Sequence, residues 1–211
     1  MPPATRTRPS GSTDWPAQNT STGVGTEEVL FADGSEKYPT SSSSDGRSLL
    51  YWTFDADGAS LWRLRLTPDP EPTTFLRSPV GPGRLSPDGR WVAYSSTESG
   101  RSEIYVVPFP VASRKWQVSS TGGGLSRWRS DGKELFYAAR DNRLMAVTVE
   151  GHGSGLEISP PRPLFEARAV GPRSFYDVSP DGQRFLVNWL GSEGVSSSIT
   201  IVQNWSAALN P

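Results

Sequence analysis

The chain has 211 residues, which is long enough for one domain with its own core. Its 21 basic and 22 acidic residues nearly cancel, and this balance argues against a general nucleic-acid-binding protein, which would carry a net basic face. The sequence has no cysteine, so disulfides and thiolate metal sites are excluded, and no apolar run approaches the roughly 18 residues that a membrane span needs.

Residues 1–25 are predicted to be a disordered lead-in. Proline, serine, threonine and glycine dominate this segment, and little in it can be buried in a core. Its arginines are not followed by an apolar stretch, so it lacks the pattern of a secretory signal. The sequence itself therefore assigns no compartment to the protein.

Residues 26–211 contain four copies of a repeat that is centred on an Asp-Gly pair. The copies read SSSSDGRSLLYWTF, LSPDGRWVAYSS, WRSDGKELFYAA and VSPDGQRFLVNW. Their aspartates are Asp45, Asp88, Asp131 and Asp181, so successive repeats are 43, 43 and 50 residues apart. Such intervals lie near the roughly 40 to 50 residues of one β-propeller blade. The sequence therefore predicts four blades, at about 38–79, 80–121, 122–169 and 170–206.

Each Asp-Gly pair is predicted to form the turn of a β-hairpin. In Ser-Pro-Asp-Gly, proline stands at a turn position with φ near −65°, and glycine stands where φ is positive. The turn glycines are Gly46, Gly89, Gly132 and Gly182. Because there is one aspartate per blade rather than a cluster, the pattern favours turn formers that accept backbone N–H bonds over metal ligands.

The strand after each turn is apolar at consecutive positions, as in Val92-Ala93-Tyr94, which is typical of a strand buried on both faces. A third strand follows in every repeat, and a fourth is predicted in the first three. No segment has sustained helical periodicity, and the longer third interval is attributed to a loop, EGHGSGLEISPPRP. The predicted fold class is all-β: a β-propeller with four blades of four-stranded antiparallel sheet, with strands named a to d in chain order.

The segment Glu27–Phe31 resembles a d strand placed ahead of the first repeat. If it paired with Ile199–Val202, it would close a four-bladed ring and remove the exposed sheet edges. A four-bladed ring needs about 90° between blades, against roughly 45 to 60° in larger propellers, and packed blade faces resist such a change. We therefore favour an open, partial propeller with a poorly anchored Glu27–Phe31 strand and with apolar faces on both end blades.

Several segments together resemble a known bacterial family: SPDGRWVAY, ESGRSEIYVVPFP, RWRSDGKELFY, RPLF, YDVSPDGQRFLV and ITIVQNW. The chain is similar, over residues 26–206, to the WD-repeat-like, TolB-type β-propeller that follows the kinase domain in bacterial eukaryotic-type serine/threonine kinases. The resemblance implies a non-catalytic sensor or protein-interaction module, often extracytoplasmic, that binds a protein or peptide. It also implies a kinase domain or further blades as partners, since this sequence has neither.

The sequence holds no catalytic constellation. A Gly-rich loop with a downstream lysine, an HRD-type loop and a DFG motif are all absent, so no phosphate transfer is predicted. In Gly151–Gly155 (GHGSG), the serine stands in the fourth place of the G-x-S-x-G motif, and His152 is the only histidine. We predict no enzyme activity, cofactor or metal. An alternative is the substrate-gating propeller of a prolyl-oligopeptidase-type hydrolase whose catalytic domain is separate.

One set of polar residues is a candidate binding site. Four residues before each turn aspartate stand Ser41, Arg84, Arg127 and Asp177, and Arg129 lies beside them. Because strand a is the innermost strand of a blade, these side chains are predicted to border the central channel. Arginine binds a carboxylate or phosphate bidentately, which makes Arg84, Arg127, Arg129 and Asp177 candidate ligand contacts. The alternative is a solvated lining that pairs internally, for instance Arg127 with Asp177.

Overall fold

A computed structural model describes residues 16–18, 27–77, 79–153, 155–167, 176–190 and 197–203. All regular structure in these ranges is β-strand, as the sequence predicted. The strands are β1 (Pro16–Gln18), β2 (Glu27–Val29), β3 (Tyr38–Ser42), β4 (Ser48–Asp55), β5 (Gly58–Arg65), β6 (Glu71–Arg77), β7 (Val80–Leu85), β8 (Trp91–Ser96), β9 (Glu103–Pro108), β10 (Trp116–Gln117), β11 (Gly123–Trp128), β12 (Glu134–Ala139), β13 (Arg143–His152), β14 (Gly155–Ile158), β15 (Arg162–Glu166), β16 (Tyr176–Val178), β17 (Arg184–Leu190) and β18 (Ser197–Gln203).

Four antiparallel sheets follow one another along the chain, one for each repeat. Their strand orders are β3-β4-β5-β6, β7-β8-β9-β10, β11-β12-β13-β15 and β16-β17-β18. The first three sheets have the predicted strands a to d. The fourth has strands a to c within the described residues, and no d strand was identified in that repeat from its sequence. Each sheet is a blade, and the four blades form an open, partial β-propeller, which confirms the predicted fold class.

The turn between strands a and b has the same geometry in every blade. In blade 2, the backbone N–H of Gly89 donates to the Ser86 carbonyl at 2.9 Å, and the N–H of Arg90 donates to the Asp88 carboxylate at 3.1 Å. The four turn glycines have φ values of 68°, 71°, 72° and 71° in chain order. A side chain is strained at these angles, so the recurrence of glycine follows from the backbone conformation of the turn.

The apolar core is divided among the three boundaries between neighbouring blades. Strand b of blade 3 shows why: Leu135 and Tyr137 pack toward blade 2, while Phe136 packs toward blade 4. All three side chains are at most 2% exposed, so this strand is buried on both faces. In blade 4 the expected burial of strand b on both faces is wrong for one position, because Leu186 is 46% exposed. Leu186 lies on the face of blade 4 that no other described strand covers.

The segment predicted to be a loop in the third repeat is a β-hairpin instead. Strand β13 continues through His152, and β14 turns back to pair with it, with Glu150 opposite Glu157. Strand β15 pairs with the earlier part of β13 and completes the blade. The prediction was wrong because the glycines and prolines of this segment were attributed to an irregular loop. In the structure Gly151 and Gly155 lie in the paired strands, Gly153 lies at the turn, and the prolines follow β14. Ser154 lies outside the described residues.

The first strands of the chain differ from expectation. Within the predicted lead-in, Pro16–Gln18 forms strand β1, and the remainder of residues 1–25 lies outside the described residues. Strand β2 covers Glu27–Val29 and pairs with β1 rather than with β18. In the described residues the propeller is therefore not closed through β2, in agreement with the open arrangement.

Four buried tyrosines lead to a prediction about alkaline unfolding. Burial raises the pKa of Tyr51 and of Tyr137 to about 12, and it raises the pKa of Tyr94 and of Tyr176 as well. A tyrosine with a raised folded-state pKa contributes stability that is complete below its unfolded pKa, near 10, and is lost as the pH rises through its folded pKa. We expect stability to fall between pH 10 and about 12, with four of the six tyrosines ionising only as the chain unfolds.

The measurement is tyrosinate absorbance and circular dichroism recorded together during an alkaline titration. Ionisation of all six tyrosines near pH 10, while the circular dichroism stays native, would contradict the prediction.

Candidate functional site

The equivalent positions on the innermost strands lie in register around the arc. Ser41, Arg84, Arg127 and Asp177 belong to β3, β7, β11 and β16, the a strands of successive blades. Each a strand pairs with the b strand that follows its turn. Because all four residues are the same number of positions from the turn, they occupy equivalent positions along their a strands. The inner-strand cluster is defined here as Arg84, Arg127, Tyr176 and Asp177.

Side chains of the a strands bind the backbone of neighbouring blades. The Trp128 indole N–H donates to the Arg84 carbonyl at 3.0 Å, and the Tyr176 hydroxyl donates to the Leu125 carbonyl at 2.8 Å. Between blades 1 and 2, the backbone N–H of Leu85 donates to the Ser41 hydroxyl at 3.1 Å. These bonds fix the relative position of adjacent a strands, and therefore the spacing of the side chains that they carry.

Arg84 is half-buried where blades 1 and 2 meet. Its Nη1 donates to the Thr40 carbonyl of blade 1. Burial, followed by the positive charge of Arg127, lowers the pKa of Arg84, while Asp177 and Tyr176 act in the opposite direction. An arginine stays protonated in a protein. The site therefore holds two positive charges close enough to repel each other.

Arg127 lies beside the carboxylate of Asp177. Its Nε lies 3.9 Å from Oδ1 of Asp177, whose side chain is 76% exposed. The guanidinium lies 5.7 Å from the ring centroid of Tyr176, and Nη1 donates to the Ser126 carbonyl at 3.0 Å. The internal pair expected from the sequence is thus present, but it is long. Its carboxylate is largely in solvent, whereas the Arg127 side chain is only 15% exposed. Asp177 offsets only part of the positive charge of the two arginines.

Arg129 does not join the inner-strand cluster. Its guanidinium binds both oxygens of Asp131, at 2.8 and 2.7 Å, and Oε2 of Glu134 at 2.6 Å. In the other repeats the residue two before the turn aspartate is a serine, so Arg129 occupies a turn position. This contact with Arg129 lowers the pKa of Asp131. Arg129 also limits the space beside Gly182 of blade 4, since a Cβ there would lie 2.7 Å from its Cδ.

The cluster has the chemistry of anion binding rather than of catalysis. The two guanidinium groups donate N–H bonds and carry positive charge, whereas the Tyr176 phenol is buried, with its pKa raised, and already donates to a carbonyl. No three histidine, cysteine or acidic side chains among the described residues are grouped to hold a metal ion. His152 lies on the β13–β14 hairpin, exposed beside Glu150 and Glu157. The described ranges contain no helix long and apolar enough to cross a membrane.

One member of the cluster, Tyr176, and one contact of the cluster, the Thr40 carbonyl, were not predicted from the sequence. Tyr176 was not singled out, although it stands next to Asp177 at the start of the fourth repeat, and Thr40 supplies the carbonyl that binds Arg84. The position of Tyr176 directly before a residue of the equivalent set was the available signal. The contact between Arg84 and the Thr40 carbonyl had no signal in the sequence, because it depends on how blades 1 and 2 pack together.

Comparison with known proteins gives the fold but no named family. No protein-family model and no curated protein matches the sequence. TolB from Acinetobacter baumannii superposes with a TM-score of 0.65 at 19% identity, covering 89% of this chain and 45% of that one. The protein assigned as TolB in Agrobacterium tumefaciens gives 0.62 at 24% identity, covering 84% and 62%. An oligogalacturonate lyase in complex with manganese gives 0.65 at 14% identity, covering 93% and 58%.

This chain therefore spans about half the length of these structures. Identities below 25% establish a shared fold and nothing further. One of the three structures compared is TolB, and a second is assigned as TolB. In fold, the described part of the chain is an open, partial, TolB-like β-propeller with four blades.

Proposed function

We propose that this chain is a non-catalytic β-propeller module that binds an acidic protein or peptide partner through the inner-strand cluster. The observation that carries the proposal is that Arg84 and Arg127 lie close enough to influence each other electrostatically, beside the exposed carboxylate of Asp177. Propellers present residues and loops on a rigid frame, which suits recognition. An acidic group from a partner would bind both arginines and offset the repulsion between them.

The energetics support a ligand rather than a purely structural role. Arg84 forms one hydrogen bond across the blade boundary, yet burial and Arg127 both disfavour its charged form. Charged groups held in an unfavourable setting are enriched at functional sites.

The finer proposal is a module that works with a bacterial serine/threonine kinase. Its support is the ordered series of segments that resembles the kinase-associated propellers, together with the TolB-like fold. The partner would then be a kinase domain, further blades, or a protein sensed by the assembly. The alternative is the propeller of a prolyl-oligopeptidase-type hydrolase. The superposition with an oligogalacturonate lyase shows that this fold also occurs in an enzyme.

The genomic sequence around the coding region separates these two assignments. We expect kinase motifs encoded upstream of Met1 or beside this gene, whereas G-x-S-x-G encoded downstream of Pro211 would favour the hydrolase. The purified chain is expected to transfer no phosphate from ATP and to cleave no peptide or ester. Turnover that persists through purification and is abolished by a single substitution in this chain would overturn the non-catalytic assignment.

Substitution of the two arginines is expected to remove binding with little loss of stability. Arg84→Ala and Arg127→Ala each lose a carbonyl contact, but each also relieves repulsion, so we expect changes within about 1 kcal/mol. An array of acidic and neutral peptides, probed with the wild-type chain, should show binding of acidic peptides that both variants lose.

Arg47→Ala is the matched control, since Arg47 is an exposed arginine in the turn of blade 1 and lies outside the cluster. It should bind the same peptides as the wild type. If no acidic peptide binds the wild type, or if Arg84→Ala and Arg127→Ala bind as well as Arg47→Ala, the inner-strand cluster is a solvated lining and the proposal is wrong.

A further inference from the structure

A second cationic cavity lies on the turn side of blade 2, away from the inner strands. Its volume is about 360 Å³. The lining residues are Arg90, Trp91, Pro108, Phe109, Ser113, Arg114 and Gly153. They come from the a–b turn and the start of the b strand of blade 2, from the end of its c strand and the connection that follows, and from the hairpin of blade 3.

The β13–β14 hairpin forms one wall of this cavity. The Arg90 guanidinium donates to the Gly153 carbonyl at the hairpin turn. Gly151 lies against the indole of Trp91, because a Cβ added at Gly151 would be 3.4 Å from the indole Nε1. The other blades have no such hairpin within the described residues, so the extra residues of the third repeat create a cavity that blade 2 alone would not have.

The side chains that line the cavity offer hydrogen-bond donors without a carboxylate. Arg114 is exposed, and it forms no ion pair or side-chain hydrogen bond with any described residue. The indole N–H of Trp91 likewise donates to no acceptor in the described part of the chain, and it is not fully enclosed. The Arg90 guanidinium lies over the Trp91 ring, 5.4 Å from the ring centroid. The hairpin glutamates lie beside His152 and are not among the lining residues.

We propose that this cavity binds a small oxyanion, a carboxylate or a phosphate group, between Arg90 and Arg114. Guanidinium groups bind both anions through paired N–H bonds, and the indole N–H of Trp91 supplies a third donor. The Phe109 ring and Pro108 limit the water that competes for these donors. Arg90 is already positioned by Gly153 and Trp91, so binding orders one further side chain, Arg114.

The site is separate from the inner-strand cluster. The two sites share no residue. The anion site depends on the contact between Arg90 and the hairpin of blade 3, and the inner-strand cluster has no part in that contact. An oxyanion could therefore bind at Arg90 and Arg114 whether or not the proposal for Arg84 and Arg127 is correct.

The test is a titration of the ¹⁵N-labelled chain with inorganic phosphate and, separately, with succinate, against sodium chloride at equal ionic strength. The Trp91 indole resonance is assigned through Trp91→Phe. We expect this resonance to shift saturably with phosphate, with succinate or with both, and not with chloride. A response to phosphate alone or to succinate alone identifies which of the two anions the site binds. A response to both identifies an oxyanion site without preference between phosphate and carboxylate.

Arg114→Gln is the decisive variant, because Arg114 contacts no described partner and its loss leaves the fold intact. We expect binding at least about tenfold weaker in Arg114→Gln, and similarly in Arg90→Gln. Arg77→Gln, at an exposed arginine on β6, and Arg84→Ala should bind like the wild type. Absence of a saturable shift, an equal response to chloride, or unchanged affinity in Arg114→Gln would each overturn the proposal.

Discussion

Replacing Gly83 with alanine is expected to destabilise the protein by about 2 to 3 kcal/mol, through overpacking between blades 1 and 2. A Cβ at Gly83 would lie 2.5 Å from Cδ2 of Leu61 and 3.0 Å from Cγ1 of Val92. Both neighbours are fully buried and belong to the cluster at this boundary, so neither side chain has free space to move into. For a chain of this length, such a loss lowers Tm by roughly 5 to 10 °C.

Gly124→Ala is the matched control for this substitution. Gly124 also lies in an a strand, β11, but a Cβ there would meet nothing within 4 Å. Its backbone does not have positive φ, so alanine should change the stability by less than about 0.5 kcal/mol. Thermal unfolding of the two variants measures the difference. Equal Tm values would show that blades 1 and 2 are not packed as described.

The repeat could be predicted from sequence because its signal is local. An Asp-Gly turn is set by the φ of one glycine and by a carboxylate that accepts the backbone N–H of the residue two positions later, so Asp88 and Gly89 have the same backbone geometry as their counterparts. The apolar strand after the turn is equally local. Four copies at blade spacing were therefore enough to predict the number of blades and the strands within them.

The functional positions could be predicted only as far as the repeat determines them. Spacing from the turn placed Arg84, Arg127 and Asp177 on the same inner edge, and the structure brings their charges together. It also placed Arg129 there, because sequence proximity was taken for spatial proximity. In the structure Arg129 binds the aspartate of its own turn, a contact that depends on the direction of one side chain.

Features that depend on packing between repeats had no sequence signal. The β13–β14 hairpin departs from the repeat, and its glycines gave the composition of a loop. The cavity beside Arg90 exists only because this hairpin meets blade 2. The same holds for Glu103, which in the sequence resembles any polar residue at the start of a strand, yet is completely buried between blades 2 and 3.

Replacing Glu103 with alanine is expected to cost about 3 kcal/mol, which is a large fraction of the stability of a typical domain. Its carboxylate accepts the backbone N–H of Gly122 at 3.0 Å, the hydroxyl of Ser119 and the Nε of Arg101 at 2.6 Å. Ser119 in turn accepts the N–H of Ile104 at 2.8 Å, so one carboxylate organises the connection from blade 2 to blade 3. Without it, the buried Gly122 N–H and Ser119 hydroxyl lose their acceptor.

Glu98→Ala is the appropriate comparison, because Glu98 forms an ion pair with Lys115 on the surface of the same blade. An exposed pair of this kind contributes less than about 1 kcal/mol, so Glu98→Ala should unfold close to the wild type. Denaturant unfolding gives both free energies, and amide hydrogen exchange at Gly122 reports the connection itself. We expect protection at Gly122 to fall in Glu103→Ala and to stay native in Glu98→Ala. Equal unfolding free energies with unchanged protection would mean that the Glu103 carboxylate does not hold the two blades together.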